Sequence, residues 1–356
     1  MPLSTIHVGC TNFGRGRLQA HLNCKGLEPV ACVDINPDAA RETLLSLDED
    51  VPNDLPNRIY TTIAEAKEKH DAQVCLIYTS TTAHAELIME SLSLGLHTLC
   101  VKPIAVDQNE FRQIISVAKE NPHLMLVQSQ NMRWNPAAAQ MRDWLREEDG
   151  IGEMLGGECR FWIRQNLHVG EDSRQPDAFL EGLYFHAGAS HQLDQLVAAK
   201  ALPAHVTAYV HNRQDPVLAQ TGVWGTAGGQ ALMEYANGAP FNYTGTRAAH
   251  VRMLEWSGYW MFHGSKGDMR RDTGNLQLFR EGKCVQDLQL QDVYPGLRED
   301  DRIQLDTFAE AISTGENRDW FQTSSLNTWI LMEACNESAR TRERIDVQAF
   351  RAELMA

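Results

Sequence analysis

Between residues 1 and 128, short apolar runs alternate with amphipathic stretches. "TIHVGC", "PVACVDI", "AQVCLIYTS", "HTLCV" and "HLMLVQS" read as strands. Between them, "RGRLQAHLN", "PDAARETLLSL", "AHAELIMESLSLG" and "DQNEFRQIISVAKE" read as helices, with Pro37 in the first turn of the second and Gly95 closing the third. "AQVCLIYTS" is almost continuously apolar, as strands covered on both faces are. This alternation predicts a parallel sheet with helices on both faces.

The pattern changes after about Gln130. "NPAAAQMRDWLREEDG" is one more helix. Strand-like runs follow, "GGECRFWIRQN", "AHVTAYVHN", "GQALMEYANG", "GYWMFHGSKGDMRRD" and "NLQLFREGK", with "NG", "SKGD" and "REGK" as hairpin signals. Two amphipathic helices, "DDRIQLDTFAEAISTG" and "SSLNTWILMEACNESARTRE", come near the end, the first stopped by Gly315. The expectation is an α/β protein. An N-terminal doubly wound (Rossmann) domain spans 1–128, and a C-terminal α+β domain with an open, mostly antiparallel sheet spans 129–356.

Composition narrows the function classes. With 356 residues the chain exceeds what one core usually serves. Its formal charge of −15, without a block of Lys or Arg, argues against nucleic acid and anionic membrane as partners. The start "MPLSTIHVGC" lacks a signal-peptide pattern, and no apolar run is long enough to span a bilayer. None of the eight cysteines forms a C-x-x-C pair, which predicts buried thiols in a reducing cytoplasm, no disulfide frame and no metal site.

The loop "GCTNFGRG" follows the first strand and opens a helix, with Gly9, Thr11 and Gly14 where a dinucleotide fingerprint has three glycines. Gly9 allows the tight turn, position 11 faces the pyrophosphate with Asn12 and Phe13 beside it, and Gly14 lets the helix pack close. Helix N–H groups face the phosphates. Asp34 ends the second strand, twenty residues after Gly14, where a carboxylate accepts ribose hydroxyls. That carboxylate repels a 2′-phosphate, so NAD is expected over NADP. Thr11 is bulkier than the usual glycine and sets the pyrophosphate slightly farther out.

"GLHTLCVKPIAV" ends a buried strand on Lys102 and then Pro103. Proline fixes its own φ and restricts the residue before it. A lysine at the carboxyl end of a parallel strand points into the crevice where ligands bind. There it can orient a hydroxyl and stabilise developing negative charge.

These features together resemble the Gfo/Idh/MocA family, named for glucose–fructose oxidoreductase, inositol dehydrogenase and the MocA protein. "LGLHTLCVKP" stands for its glycine-to-E-K-P stretch, and "TSTTAH", Thr79 to His84, for its T-P-N-x-x-H segment. "NMRWNP" and "GIGE" look like its R-x-x-P and G-x-I-G-E landmarks. "FHGSKGDMRRD" and "EACNESARTRERIDV" look like its closing strand and helix. The resemblance implies a dinucleotide-binding domain followed by a substrate domain whose open sheet often mediates oligomers, here a homodimer or homotetramer. It implies a catalytic role for Lys102, and cofactor contacts from Thr79, Ser80, Thr81, His84, Val101 and Lys102. Val101 replaces the usual Glu, making the local field less negative.

"LYFHAGASHQLDQL" resembles the family's D-x-x-x-H-x-x-D helix. His191 matches the histidine and is the expected acid/base, with a pKa near working pH. Asp194 matches the last position and either orients the imidazole or serves the structure. Ala187 replaces the first Asp, and His186 beside it reads as a supporting or merely structural histidine. His84 reads as a loop support or a cap of the following helix, and His21 as a surface residue of its helix. The segment Arg160 to Tyr184 is the expected substrate-selecting region.

The expected activity is NAD-dependent hydride transfer at a hydroxyl or carbonyl carbon of a sugar, polyol or cyclitol-like substrate. Two alternatives stay open. One is a tightly NAD-bound enzyme that cleaves or epimerises a glycoside by transient oxidation. The other is a non-catalytic NAD-binding sensor or partner protein, motivated by Thr11, Val101 and Ala187.

Overall fold

The computed structural model describes residues 1–163, 184–211, 227–249, 256–290 and 298–356. The chain divides into two compact units, Met1–Trp134 with Tyr294–Leu326, and Asn135–Val293 with Asn327–Ala356. Helix Arg298–Thr314 thus belongs to the first unit, although it lies far along the chain from the rest of that unit. Periodicity identifies a helix but not the sheet it covers.

In the first unit the elements run β1 (Leu3–Val8), α1 (Phe13–Leu22), β2 (Leu27–Val33), α2 (Pro37–Leu45), β3 (Ile59–Tyr60), α3 (Ile63–Lys69), β4 (Val74–Ile77), α4 (His84–Ser93), β5 (His97–Val101), α5 (Gln108–Glu120) and β6 (Leu126–Ser129). The strands form one six-stranded sheet in the order β3-β2-β1-β4-β5-β6, and every pair is parallel. β4 is fully buried, which explains its unbroken apolar run. Side-chain caps start several helices: Asn36 accepts from Ala39 N, Thr62 from Glu65 N and Asp107 from Glu110 N. Helix Arg298–Thr314 supplies Leu305, Phe308, Ala309 and Ala311 to the cluster that holds Leu76, Leu99 and Val127. Asp306 on that helix accepts from the backbone N–H groups of Lys25 and Gly26 at 2.8 and 3.0 Å.

The second unit begins with α6 (Pro136–Arg146), capped by Asn135. It then builds a nine-stranded sheet from β7 (Met154–Trp162), β8 (His205–His211), β9 (Gly228–Glu234), β10 (Pro240–Thr246), β11 (Tyr259–Gly264), β12 (Asp268–Asp272), β13 (Asn275–Arg280), β14 (Lys283–Gln289) and β15 (Ile345–Asp346). The order is β14-β13-β12-β11-β7-β10-β9-β8-β15. All pairs are antiparallel except β10 with β7. Asn237-Gly238 turns β9 into β10 with Gly238 at positive φ, and Glu281-Gly282 turns β13 into β14 with both residues there. Trp260 stacks on Phe262, and Phe241 packs against both at a tilt, all three buried. Helix Arg318–Thr341 spans the division between the units.

All eight cysteines are free thiols, and Cys284 alone among them is exposed. Among the described residues no helix is long and apolar enough to cross a membrane, and no group of three or more His, Cys, Asp or Glu could hold a metal ion.

Candidate active site

In the first unit the strand order reverses at β1, which lies between β2 and β4. The chain leaves β1 at Gly9, whose N–H donates to Val33 O at 2.8 Å, and Tyr78 N donates to Val8 O at 2.8 Å. Gly9 has φ +87°, and a Cβ there would stand 2.4 Å from Tyr78 O. A Cβ on Gly14 would stand 2.0 Å from Gly9 O. Both glycines are thus required by close backbone approach. Thr11 O accepts from Gly14 N at 2.8 Å, closing the turn into α1. Asn12 stands at the cap of that helix with φ +49° and makes no side-chain cap bond. Phe13 is exposed, with the Arg17 guanidinium 4.7 Å over its ring. Arg17 also pairs with Asp301.

Asp34 is buried, and its carboxylate braces the glycine loop. Oδ2 accepts from Cys10 N at 2.9 Å and Oδ1 from Asn36 N at 3.0 Å. Each oxygen can accept more than one hydrogen bond, so both remain available to ribose hydroxyls. Arg41, the nearest arginine downstream, donates through Nε to Pro56 O at 2.9 Å.

Lys102 follows β5 directly and is half-buried; its bond to Pro103 is cis. His84, at the start of α4, is buried with Nδ1 2.8 Å from Pro103 O and Nε2 3.2 Å from Thr79 O. Its ring lies between the turn after β4 and the turn after β5. Burial holds its pKa below the ordinary histidine value, against the two backbone carbonyls. Ser80 and Thr81 form the short turn leading into α4. Val101 is buried in the cluster with Leu99 and Val127.

His21 is not on the helix surface. It is buried, with Nδ1 3.2 Å from Nδ1 of His7, and the two rings stack at 5.4 Å. Burial pushes His7 down to about 4 and, with His7 beside it, pushes His21 well below its ordinary value. A face carrying a histidine looks polar in sequence; here a second histidine on β1 satisfies it.

In the second unit a single π-helical turn, Tyr184–Gly188, leads into helix Ser190–Lys200. His191 sits in the first turn of that helix, its ring perpendicular to Trp256 at 6.0 Å. Gln192 donates to Trp256 O and accepts from Tyr243 Oη at 3.4 Å. Asp194 is buried, and Oδ1 accepts from Thr328 Oγ1 at 2.9 Å. His186 is a core residue: Nε2 lies 3.3 Å from Glu333 Oε2 and 3.2 Å from Asn336 Nδ2, and the ring stacks on Trp329. Asp194 and His186 therefore both tie the His191 segment to helix Arg318–Thr341.

Tyr184 was not singled out in the sequence. Its side chain fills a slot bordered by Gly188, Gly229 and Gly245, where added Cβ atoms would come within 3.2, 2.6 and 1.6 Å of it. Its hydroxyl hydrogen-bonds Tyr243 Oη at 2.9 Å. Glycines inside β9 and β10 were the available signal, because strand glycines mark close approach. Most of the expected substrate-selecting segment, residues 164–183, lies outside the described residues.

A dinucleotide fits the first unit: the two glycines leave a cradle that any Cβ would fill, and a braced carboxylate stands beside it. A family model described as an oxidoreductase family with an NAD-binding Rossmann fold matches residues 4–129. An uncharacterized protein of Sinorhizobium fredii is 24% identical over 374 residues, covering 98% of this chain and 97% of that one. Among solved structures, an oxidoreductase from Agrobacterium radiobacter in complex with NAD+, L-tartaric acid and magnesium superposes with a TM-score of 0.82 at 19% identity, covering 98% of this chain and 99% of that one. A myo-inositol dehydrogenase from Corynebacterium glutamicum gives a TM-score of 0.73 at 19% identity, covering 97% and 98%. Residues 4–129 thus match the Gfo/Idh/MocA oxidoreductase family model with its NAD-binding Rossmann fold, and the solved structures share the fold along the whole chain.

Proposed function

We propose that the protein is an NAD-dependent oxidoreductase acting at a hydroxyl or carbonyl carbon of a sugar, polyol or cyclitol-like substrate. The observation that carries this reading is the glycine cradle of Gly9 and Gly14 with the Asp34 carboxylate bonded to the same loop. Bound nicotinamide supplies the hydride acceptor or donor. The protein's residues position and handle protons. Thr11, Asn12 and Phe13 line the phosphate turn, and Asp34 accepts the adenosine ribose hydroxyls while repelling a 2′-phosphate. Thr79, Ser80, Thr81 and Val101 border the cofactor at the ends of β4 and β5.

Lys102 orients the reacting hydroxyl, and its ammonium stabilises the negative charge left as the proton departs. His191 takes that proton during oxidation and returns it during reduction. Asp194 and His186 act as positioning residues through Thr328 and Glu333. The similar Agrobacterium and Corynebacterium proteins are described with tartaric acid and myo-inositol, both small polyhydroxy compounds, which supports this substrate class. Tyr209 on β8 and Leu232 on β9 are exposed, which supports a homodimer or homotetramer through the sheet; sedimentation as a monomer at micromolar concentration would remove that part.

The test is a screen of sugars, cyclitols, polyols and sugar acids with NAD+ and NADP+, reading absorbance of the reduced cofactor. Substrate-dependent reduction is expected with NAD+. Lys102→Ala is expected to abolish it while calorimetry still shows NAD+ binding. Undiminished turnover in that variant would remove Lys102 from the mechanism.

A further inference from the structure

Helix α1, which opens on the glycine turn, carries two arginines that leave it in different directions. Arg15 donates through Nη2 to the carbonyl of Ser46, the residue that ends α2, at 3.1 Å. Arg17 pairs with Asp301 on helix Arg298–Thr314. That helix covers the other half of the sheet. Its Leu305, Phe308 and Ala309 pack with Leu76 of β4, Leu99 of β5 and Val127 of β6, and its Gln304 donates to Ser129 Oγ at 2.7 Å. Burial pushes the Tyr78 phenol up and the Arg17 guanidinium pulls it down, which puts Arg17 near the residue that follows β4. One side of α1 therefore faces α2, which follows Asp34, and the other faces the half of the sheet that holds β4, β5 and β6.

Phe13 belongs to the second side. It precedes Arg17 by four residues, so the two share a helix face, and the guanidinium stands 4.7 Å from the centre of the ring, over one of its faces. Phe13 is 54% exposed, whereas the side chains of Arg17 and Asp301 behind it are 14% and 2% exposed. An aromatic ring is thus open to solvent on a packed support, at the first residue of α1. A dinucleotide laid across the switch point sets its pyrophosphate on this helix N-terminus. With the adenosine ribose at Asp34 on the β2 side, the nicotinamide half runs the other way, towards Lys102 after β5. Phe13 lies on that side, and Arg17 leaves one ring face for a ligand.

We infer that the face of Phe13 turned away from Arg17 is the platform on which the nicotinamide ring lies. This rests on the NAD-binding reading above and goes beyond it: the Phe13 side chain serves the ring and not the phosphates. Aromatic rings attract one another in offset-stacked or edge-to-face contact, and the ligand ring covers apolar surface that otherwise stands in water.

The test uses the full chain stripped of nucleotide, with calorimetric titration of NADH and of ADP-ribose, which keeps the adenosine and the pyrophosphate but lacks the nicotinamide. The wild type is expected to bind NADH more tightly than ADP-ribose. Phe13→Ala is expected to weaken NADH about tenfold and to leave ADP-ribose unchanged. Phe13→Leu, which keeps apolar bulk without the ring, takes the place of Phe13→Ala if the latter does not fold, and is expected to lose about threefold on NADH alone. A folded variant that binds NADH as tightly as the wild type overturns the inference and leaves the NAD reading intact. A variant that loses NADH and ADP-ribose to the same extent also overturns it, since Phe13 then shapes the phosphate turn. A wild type that binds neither ligand overturns both.

Discussion

His84 Nδ1 lies 2.8 Å from the carbonyl oxygen of Pro103. Its other ring nitrogen lies 3.2 Å from Thr79 O, so one buried side chain spans the turns that close β4 and β5. A neutral ring has one N–H, and the shorter contact assigns it to Nδ1. His84→Ala would leave the Pro103 carbonyl without its donor and is expected to cost about 1–3 kcal/mol of stability. His84→Asn, which keeps a short donor, should recover part of the loss. Urea unfolding of the two variants measures this, and equal stability of His84→Ala and wild type would show that the bridge contributes nothing.

The His7–His21 pair makes a pH prediction. Both rings are held neutral by burial, and His7 falls from 6.5 to about 4. In the unfolded chain these histidines take up protons below about pH 6.5. The unfolded state therefore binds more protons across the window from 6.5 down to about 4, and stability declines as pH falls through it. For His7 the full decline amounts to about 3 kcal/mol. Carboxylates contribute to acid unfolding as well, so the comparison needed is with His7→Gln. That variant should lose stability less steeply as pH falls from 6.5 towards about 4, and parallel profiles would count against the buried neutral pair.

Cofactor choice rests on Asp34. Its carboxylate is fixed by the N–H groups of Cys10 and Asn36, so it cannot swing away from a 2′-phosphate without releasing the loop. NAD+ should bind at least about tenfold more tightly than NADP+, a difference of about 1.4 kcal/mol. Asp34→Ser should narrow the gap by weakening NAD+ and relieving the repulsion of NADP+. Competitive titration of the two dinucleotides decides it, and tighter NADP+ binding by the wild type would reverse the assignment.

The sequence was most legible where structure is local. The strands and helices through Ser129 other than β3 and α3, the Gly9–Gly14 turn and Lys102 each follow from a few neighbouring residues. What escaped depends on distant partners. β10, "PFNYTGT", holds a proline and a glycine, weak strand formers, and is stabilised between β7 and β9. Strand β14 is exposed along most of its length and so has no apolar alternation to read. His21 looked like a surface residue because hydropathy does not register a second histidine on the facing strand.

The slot around Tyr184 shows how a residue outside the expected motif can govern one inside it. Tyr184 begins the turn that delivers Ser190–Lys200, and with it His191. A Cβ on Gly245 would stand 1.6 Å from Tyr184 Oη and 2.9 Å from Cζ. Gly245→Ala must therefore displace the ring, and the displaced hydroxyl loses Tyr243, which in turn contacts Gln192 next to His191. A cost of about 1–3 kcal/mol is expected from such overpacking. Tyr184→Phe removes the atom in closest conflict at the cost of one buried hydrogen bond, about 1 kcal/mol. The double variant should then be more stable than the sum of the single changes, because the Phe ring relieves most of the clash with the added methyl group. A double-mutant cycle by urea unfolding measures this coupling. Strict additivity would mean that Tyr184 and Gly245 do not press on one another, and that the turn leading to His191 is held by its polar ties to helix Arg318–Thr341 alone.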